Sequence, residues 1–207
     1  ELTDSRIKHT FVTVDRIEPH KNLVRPINAF GELLKRHPDL ADNVRYVLIL
    51  TPGPAHISAY KRLSDEIRRA ARRVNENSVS SRTVQVYEEN NFYRAVAGLT
   101  RYDTLISVPV VEGLGRSALD GPLVNTANGT MILSENHVAS DYYGALVQQV
   151  GFTDTGAMTD AMAAAVLDSD NERSRKASEL REIVSGRSPE ISIKQILTDL
   201  VESENRR

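Results

Sequence analysis

Short β-branched runs alternate with longer segments of helical periodicity along the whole chain, and this alternation constrains the fold more than any other feature. The runs predicted to be strands are residues 9–14, 44–51, 83–88, 104–109, 130–135 and, more weakly, 146–151. The second run is almost continuously apolar, which is typical of a strand buried on both faces. The pattern predicts an α/β fold with a Rossmann-like, mostly parallel sheet flanked by helices.

The segments between these runs have the apolar spacing of helices. In residues 22–36 the apolar side chains that share one helix face are Leu23, Ile27, Phe30, Leu33 and Leu34. Further helices are predicted over residues 58–77, 91–101, 117–126, 159–167, 172–184 and 191–203. Because the last stretch is charged and wholly helical, we expect residues 1–168 to form the sheet domain. Residues 169–207 then form C-terminal helices that pack on that domain or on something outside it.

Composition excludes several classes of protein. The 207 residues include 26 Lys and Arg against 28 Asp and Glu, which argues against nucleic-acid or membrane-surface binding driven by bulk charge. No apolar run reaches the length of about 18 residues that a membrane-spanning helix needs. The absence of Cys excludes disulfides and thiolate zinc sites and is consistent with a cytoplasmic protein. The five His residues lack metal-binding spacing, so no metal site is expected.

The chain starts at Glu1, with neither an initiator Met nor a signal peptide. Two explanations are equally open at this point. The chain is either a fragment of a longer protein or a protein whose first residues have been trimmed.

The loop over residues 15–22 leaves a strand and enters a helix, at the edge where open α/β sheets bind ligands. Arg16 and Lys21 lie five residues apart in it, and two such cations could clamp a diphosphate beside the helix N-terminus. The alternative is that Arg16 pairs with a local carboxylate and Lys21 is solvated.

The loop over residues 111–117 follows another buried strand. Gly113 and Gly115 would let a ligand approach the backbone closely. Asp120, one turn into the next helix, could accept hydrogen bonds from a vicinal diol such as a ribose. The alternative is an ordinary glycine-rich turn in which Asp120 complements the helix dipole.

A third polar loop, residues 88–91, has the sequence Glu-Glu-Asn-Asn. It could hydrogen-bond a base edge or a partner loop. The favoured alternative is that Asn90 or Asn91 caps the following helix.

Several of these segments resemble glycosyltransferase family 20, the trehalose-6-phosphate synthases. Residues 16–21 (RIEPHK) resemble that family's R-I-D-Y-x-K, and residues 29–38 resemble its A-F-x-E-L-L-x-R-H-P. Residues 112–120 fall where the family has D-G-M-N-L-V-x-x-E, and residues 130–135 resemble its V-L-V-L-S-E strand. A narrower likeness, to the validoxylamine-phosphate synthase branch of pseudo-glycosyltransferases, lies in residues 121–125 (A-P-L-V-N there) and 88–91 (N-D-N-D there).

The resemblance implies the C-terminal, nucleotide-sugar half of a two-domain GT-B glycosyltransferase, with the final helices crossing to an N-terminal domain outside this chain. It implies retaining transfer from UDP- or GDP-glucose to glucose 6-phosphate without a metal or other cofactor. Arg16 and Lys21 would be the catalytic residues, stabilising the charge that develops on the leaving diphosphate. The implied donor-binding residues are Glu112, Gly113, Leu114, Gly115, Arg116, Ser117, Asp120 and Asn91.

Four positions depart from the family pattern. Glu112 stands where the family has Asp, Gly115 where it has Asn, Asp120 where it has Glu, and Asn22 where it has Gly. Two alternatives therefore stand beside trehalose-6-phosphate synthesis. One is a pseudo-glycosyltransferase joining a nucleotide-linked cyclitol to an amine, and the other is an inactive regulatory homologue. We expect this chain alone to bind nucleotide weakly and to turn nothing over.

Overall fold

The computed structural model describes residues 7–78, 82–187 and 189–205, and within these ranges six strands form one parallel sheet. The strands are β1 (His9–Arg16), β2 (Val44–Thr51), β3 (Val84–Glu88), β4 (Thr104–Ser107), β5 (Thr130–Ser134) and β6 (Gln148–Val150). Their order across the sheet is β3-β2-β1-β4-β5-β6, and every neighbouring pair is parallel. The predicted α/β fold is confirmed.

Helices cover both faces of this sheet. Their bounds are α1 (Val24–Arg36), α2 (Ser58–Glu76), α3 (Phe92–Arg101), α4 (Arg116–Val124), α5 (Val138–Tyr143), α6 (Thr155–Leu167), α7 (Asp170–Ser185) and α8 (Pro189–Asn205). Two differences from the predicted pattern have local causes. The short helix α5 is absent from the prediction because six residues are too few to show helical periodicity. Helix α6 begins four residues early because the side chain of Asp154 caps it, accepting from the Ala157 amide at 2.8 Å.

The sheet separates two apolar cores. One core packs the sheet against α1, α2 and α6, and the other packs it against α3, α4, α5 and α7. Strand β2 contributes Tyr46, Leu48 and Leu50 to the first core and Val47 and Ile49 to the second. The prediction that this strand is buried on both faces is therefore confirmed.

The two C-terminal helices differ in their packing. Helix α7 lies against α4 and buries Leu180 and Val184 in the second core, and Arg173 reaches Asp103 at 2.7 Å. Helix α8 instead presents roughly half-exposed apolar side chains, which are Ile191, Ile193, Ile196, Leu197, Leu200 and Val201. Within the described part of the chain, no helix combines the length and apolar character needed to cross a bilayer.

The centre of the sheet determines where a ligand can bind. The chain builds outward from β1 in one direction and from β4 in the other, so β1 and β4 flank the topological switch point. They pair only through Phe11 with Thr104 and Val12 with Leu105, whereas β1 extends to Arg16. Beyond that pairing the loops that follow β1 and β4 diverge, and a crevice at this position is the usual ligand site of open α/β sheets.

Candidate active site

A cleft of about 430 Å³ opens between the loops that follow β1 and β4. Eight of the ten predicted site residues line it, and these are Arg16, Lys21, Glu112, Leu114, Gly115, Arg116, Ser117 and Asp120. Gly113 lies exposed in the same loop, whereas Asn91 belongs to a different loop. In the described ranges, no three His, Asp or Glu side chains come together as a metal ion would require.

Lys21 lies at the base of the cleft between two carboxylates. Its Nζ is 3.0 Å from Asp15 Oδ1 and also donates to Glu112 Oε2. Only 8% of the Lys21 side chain is exposed, and both carboxylates are nearly as buried. Lys21 is therefore not solvated. Its ammonium group is fixed by partners from the two loops that form the cleft.

The three charges of this cluster shift one another's protonation. Burial tends to raise the pKa of Glu112, but hydrogen bonds from Lys21 and from the Leu114 amide hold it down to about 2. Burial tends to lower the pKa of Lys21, and its bonds to Glu112 and Asp15 outweigh that effect and raise it. The pKa of Asp15 is raised, chiefly by burial and against the pull of Lys21. Lys21 and Glu112 are consequently both charged at neutral pH.

Arg16 lies at the solvent-exposed side of the cleft. Its Nη1 is 2.7 Å from Glu18 Oε1, and 64% of its side chain is exposed. The local-carboxylate alternative thus describes Arg16 in this structure. An exposed ion pair of this kind contributes at most about 1 kcal/mol, so Arg16 can exchange Glu18 for an incoming phosphate at low cost.

Asn22 anchors the loop after β1 to the other half of the sheet. Its backbone is left-handed, with φ of 56°, a conformation that Gly and Asn adopt most readily. Its Nδ2 donates to Val108 O at 2.9 Å and to Phe152 O at 2.8 Å, and the Val110 amide donates to His20 O at 2.7 Å. Asn at this position therefore keeps the backbone shape that Gly allows and adds two tethers.

Gly115 begins α4 at the mouth of the cleft, and its backbone is also left-handed, with φ of +57°. A Cβ atom at this position would lie well under 3.0 Å from Cε1 and Nε2 of His137 and 3.1 Å from Glu112 Cγ. The imidazole thus occupies the space that a side chain at position 115 would need. Helix α4 has no side-chain cap at Gly115, and an uncapped helix N-terminus favours an anion.

His137 is not among the residues that the sequence predicts for the site. It is 1% exposed, and its Nδ1 accepts from the Ala139 amide at 3.1 Å, capping α5. That bond places the proton of the neutral ring on Nε2. Among the described residues this Nε2–H has no hydrogen-bond partner. The one available signal is its position after β5, at the same edge of the sheet as the other loops.

Arg116 and Asp120 form a pair on the first turns of α4. Arg116 Nη2 and Nε lie 2.8 and 3.0 Å from Asp120 Oδ2; the Arg116 side chain is largely exposed and that of Asp120 is partly exposed. The carboxylate that the resemblance assigns to a ribose is therefore engaged by a neighbouring guanidinium that solvent can easily replace.

Asn91 caps α3, as the favoured alternative expects. Its side chain accepts from the Arg94 amide at 3.0 Å and donates to Glu89 Oε2 at 3.4 Å. It is not among the residues that line the cleft. A role for Asn91 in recognising a base stays a prediction.

Comparison with known proteins gives a consistent picture. The model of glycosyltransferase family 20 matches residues 3–201. Validamine 7-phosphate valienyltransferase of Streptomyces hygroscopicus is 26% identical over 167 residues, which are 81% of this chain and 33% of that protein. UDP-forming α,α-trehalose-phosphate synthase of Encephalitozoon cuniculi is 25% identical over 167 residues, covering 79% of this chain and 36% of the relative.

Among solved structures, UDP-forming α,α-trehalose-phosphate synthase from Burkholderia xenovorans superposes with a TM-score of 0.86 at 20% identity. The superposition covers 94% of this chain and 44% of the other. The chain thus spans about a third of the curated relatives and less than half of this structure.

Proposed function

The chain belongs to glycosyltransferase family 20, and on that premise we propose that it is the donor-binding part of a longer glycosyltransferase. The donor is a nucleoside-diphosphate sugar, UDP- or GDP-glucose, and the acceptor is a phosphorylated sugar. The default reaction is retaining transfer that forms trehalose 6-phosphate. The observation that carries the proposal is the convergence of eight predicted site residues on one cleft at the switch point of the sheet.

The diphosphate of the donor is proposed to lie between Lys21, Arg16 and the N-terminus of α4. Transfer breaks the bond between the anomeric carbon and the diphosphate oxygen, so negative charge grows on the diphosphate. A cation fixed in place before the reaction stabilises that charge without reorganising. Lys21 meets this condition because two carboxylates already hold it, and Arg16 joins by leaving its exposed pair with Glu18.

The remainder of the donor fits the loop after β4. Gly113, where a Cβ would meet no atom within 4 Å, leaves room for the sugar to approach the backbone, and Leu114 is largely exposed beside it. The Gly115 backbone lies at the edge of the same cleft. The ribose hydroxyls are proposed to take Asp120 from Arg116, an exchange that breaks only an exposed ion pair. Residues that bind the acceptor are proposed to lie in the part of the protein outside this chain.

A second candidate function is the transfer of a nucleotide-linked cyclitol to an amine. The observation that favours it is the valienyltransferase relative, which is 26% identical over 81% of this chain. Both candidates place a nucleoside diphosphate in the same cleft. Since they differ in the acceptor, the assay that separates them supplies the longer protein with a sugar phosphate and with an amino-cyclitol phosphate in parallel.

The donor site can be tested by calorimetric titration of this chain with UDP and with GDP. Arg16→Ala alone and Arg16→Ala/Lys21→Ala are compared with Lys35→Ala/Arg69→Ala, which removes the same charges from exposed positions outside the cleft. We expect saturable binding of at least one nucleotide, weakened at least tenfold in the double cleft variant and several-fold in the single one. The control should bind like the wild type.

Two results would count against the donor site. One is equal loss of affinity in the cleft variants and the control. The other is failure of a folded sample to bind either nucleotide, which would favour the inactive regulatory homologue.

A further inference from the structure

The base of the cleft has an excess of negative charge that a diphosphate must overcome. Asp15 and Glu112 both contact the single ammonium of Lys21. A phosphate oxygen bound to that ammonium would lie within a few ångströms of the Glu112 carboxylate, and like charges at that separation repel strongly in a buried site. Diphosphate binding would therefore be favoured if the Glu112 carboxylate had another hydrogen-bond donor within reach.

His137 provides a hydrogen-bond donor at the required distance. The Cβ position of Gly115 lies well under 3.0 Å from His137 Nε2 and 3.1 Å from Glu112 Cγ. His137 Nε2 and Glu112 Cγ are therefore close enough for the Glu112 carboxylate to reach Nε2 by rotation about its outer side-chain bonds. A side chain at position 115 would lie between His137 Nε2 and Glu112 Cγ, and glycine has none.

A hydrogen bond to the unpaired Nε2–H of His137 would stabilise the rotated Glu112 side chain. A buried donor without a partner is unfavourable, and hydrogen bonds to charged acceptors are among the strongest in proteins. The backbone already aligns the two residues, since Glu112 and His137 form a parallel β-bridge and the Val138 amide donates to Glu112 O at 2.9 Å.

We propose that Glu112 exchanges partners when a diphosphate binds: its carboxylate leaves Lys21, which takes the phosphate, and accepts a hydrogen bond from His137 Nε2–H. This inference rests on the proposed function, because it assumes that the cleft receives a nucleoside diphosphate. His137 is then a positioning residue of the donor site. It acts on the ligand through Glu112.

The exchange has a signature in proton binding. In the free protein, burial and nearby Lys21 lower the pKa of His137, against the opposing pull of Glu112. Asp15 is paired with Lys21 at 3.0 Å, and Arg116 and Asp120 are paired with each other on a more exposed part of the cleft. When Glu112 moves onto the ring and Lys21 is neutralised by phosphate, the His137 pKa rises. At a pH between the free and bound pKa values, ligand binding should therefore take up a proton at His137, on Nδ1 and in place of the hydrogen bond from the Ala139 amide.

The test is a pH titration of the His side-chain NMR signals of the whole chain, with and without saturating inorganic pyrophosphate and, separately, UDP. The exposed His56 serves as an internal control. We expect the His137 pKa to rise by about 1 or more with either ligand, whereas the His56 signals should not respond to the ligand.

Three variants separate the exchange from a structural role of the ring. His137→Asn keeps an oxygen that can cap α5 but withdraws the donor from Glu112. His137→Gln restores a donor near the Nε2 position, and His137→Leu removes both functions. We expect pyrophosphate affinity to fall about tenfold in the Asn and Leu variants and to stay within about threefold of wild type in the Gln variant. None of the three variants should take up a proton at position 137 when the ligand binds.

The outcomes distinguish this inference from the proposed function. If the wild type binds pyrophosphate and UDP but the His137 pKa does not move, or His137→Asn binds like the wild type, the exchange is wrong and the donor site stands. If folded wild-type protein binds neither ligand, both proposals are overturned.

Discussion

Gly115→Ala is the substitution whose effect the structure specifies most closely. An alanine at φ of +57° is strained by about 1–2 kcal/mol relative to glycine. Its Cβ would also overlap the His137 ring, which is 1% exposed and held by its bond to the Ala139 amide. Overpacking against a group that cannot move away adds about 1–3 kcal/mol. We expect a total loss of about 2–5 kcal/mol in the free energy of unfolding.

Urea unfolding of the wild type and of matched variants measures this loss. Gly113→Ala is the control, because a Cβ at that position meets no atom within 4 Å. It should change the free energy of unfolding by no more than about 0.5 kcal/mol. Combining Gly115→Ala with His137→Ala removes the overlap, so the double variant should be about 1–3 kcal/mol more stable than the sum of its single changes.

Two results would contradict the expected effect of Gly115→Ala. If Gly115→Ala and Gly113→Ala unfold at the same urea concentration, neither the left-handed backbone nor the overlap matters at position 115. If the effects of Gly115→Ala and His137→Ala simply add, the two residues are not in contact as described.

Three further substitutions have expected outcomes. Lys21→Met leaves the Asp15 and Glu112 carboxylates facing each other and should cost about 3 kcal/mol at pH 7. Without Lys21 the pKa values of Asp15 and Glu112 both rise, so urea unfolding should show the variant gaining stability as pH falls below 7. The wild type loses the contribution of Glu112 as pH falls from 4.5 toward 2. Asn22→Ala should lower the Tm more than Asn22→Gly, because Gly adopts the left-handed backbone without strain and Ala does not. The difference in the free energy of unfolding should be about 1–2 kcal/mol. Asn91→Ala should cost about 1 kcal/mol by uncapping α3, and nucleotide titration of the same variant tests whether Asn91 also touches the donor.

The elements of the fold were largely predictable because they depend on local patterns. Strand β2 has the predicted bounds, Val44–Thr51, since a continuous apolar run in a parallel sheet has few alternatives. Helix α5 was not predictable, because its six residues owe their form to the cap by His137 and to packing on the second core. The start of α6 at Thr155 depended on a cap whose signal, Asp154, is a single residue.

The site was predictable in location but not in its internal contacts. The rule that ligands bind at the carboxyl ends of strands was enough to select the loops that carry Lys21 and Gly115. The burial of Lys21 against Glu112, 91 residues away, depends on how the two loops meet in three dimensions. The place of His137 behind Gly115 depends on a backbone conformation that a lone glycine does not reveal.

The cleft between β1 and β4 is the proposed binding site for the nucleoside diphosphate of a sugar donor. Backbone amide NMR during titration with UDP and with GDP tests it most directly, because it shows where a ligand sits. We expect the largest shift changes at Lys21, Gly113, Gly115 and Ser117, as binding in this cleft requires. Saturating changes confined to the separate cleft formed by α1, α2 and α6, around Arg73 and Thr155, would contradict it.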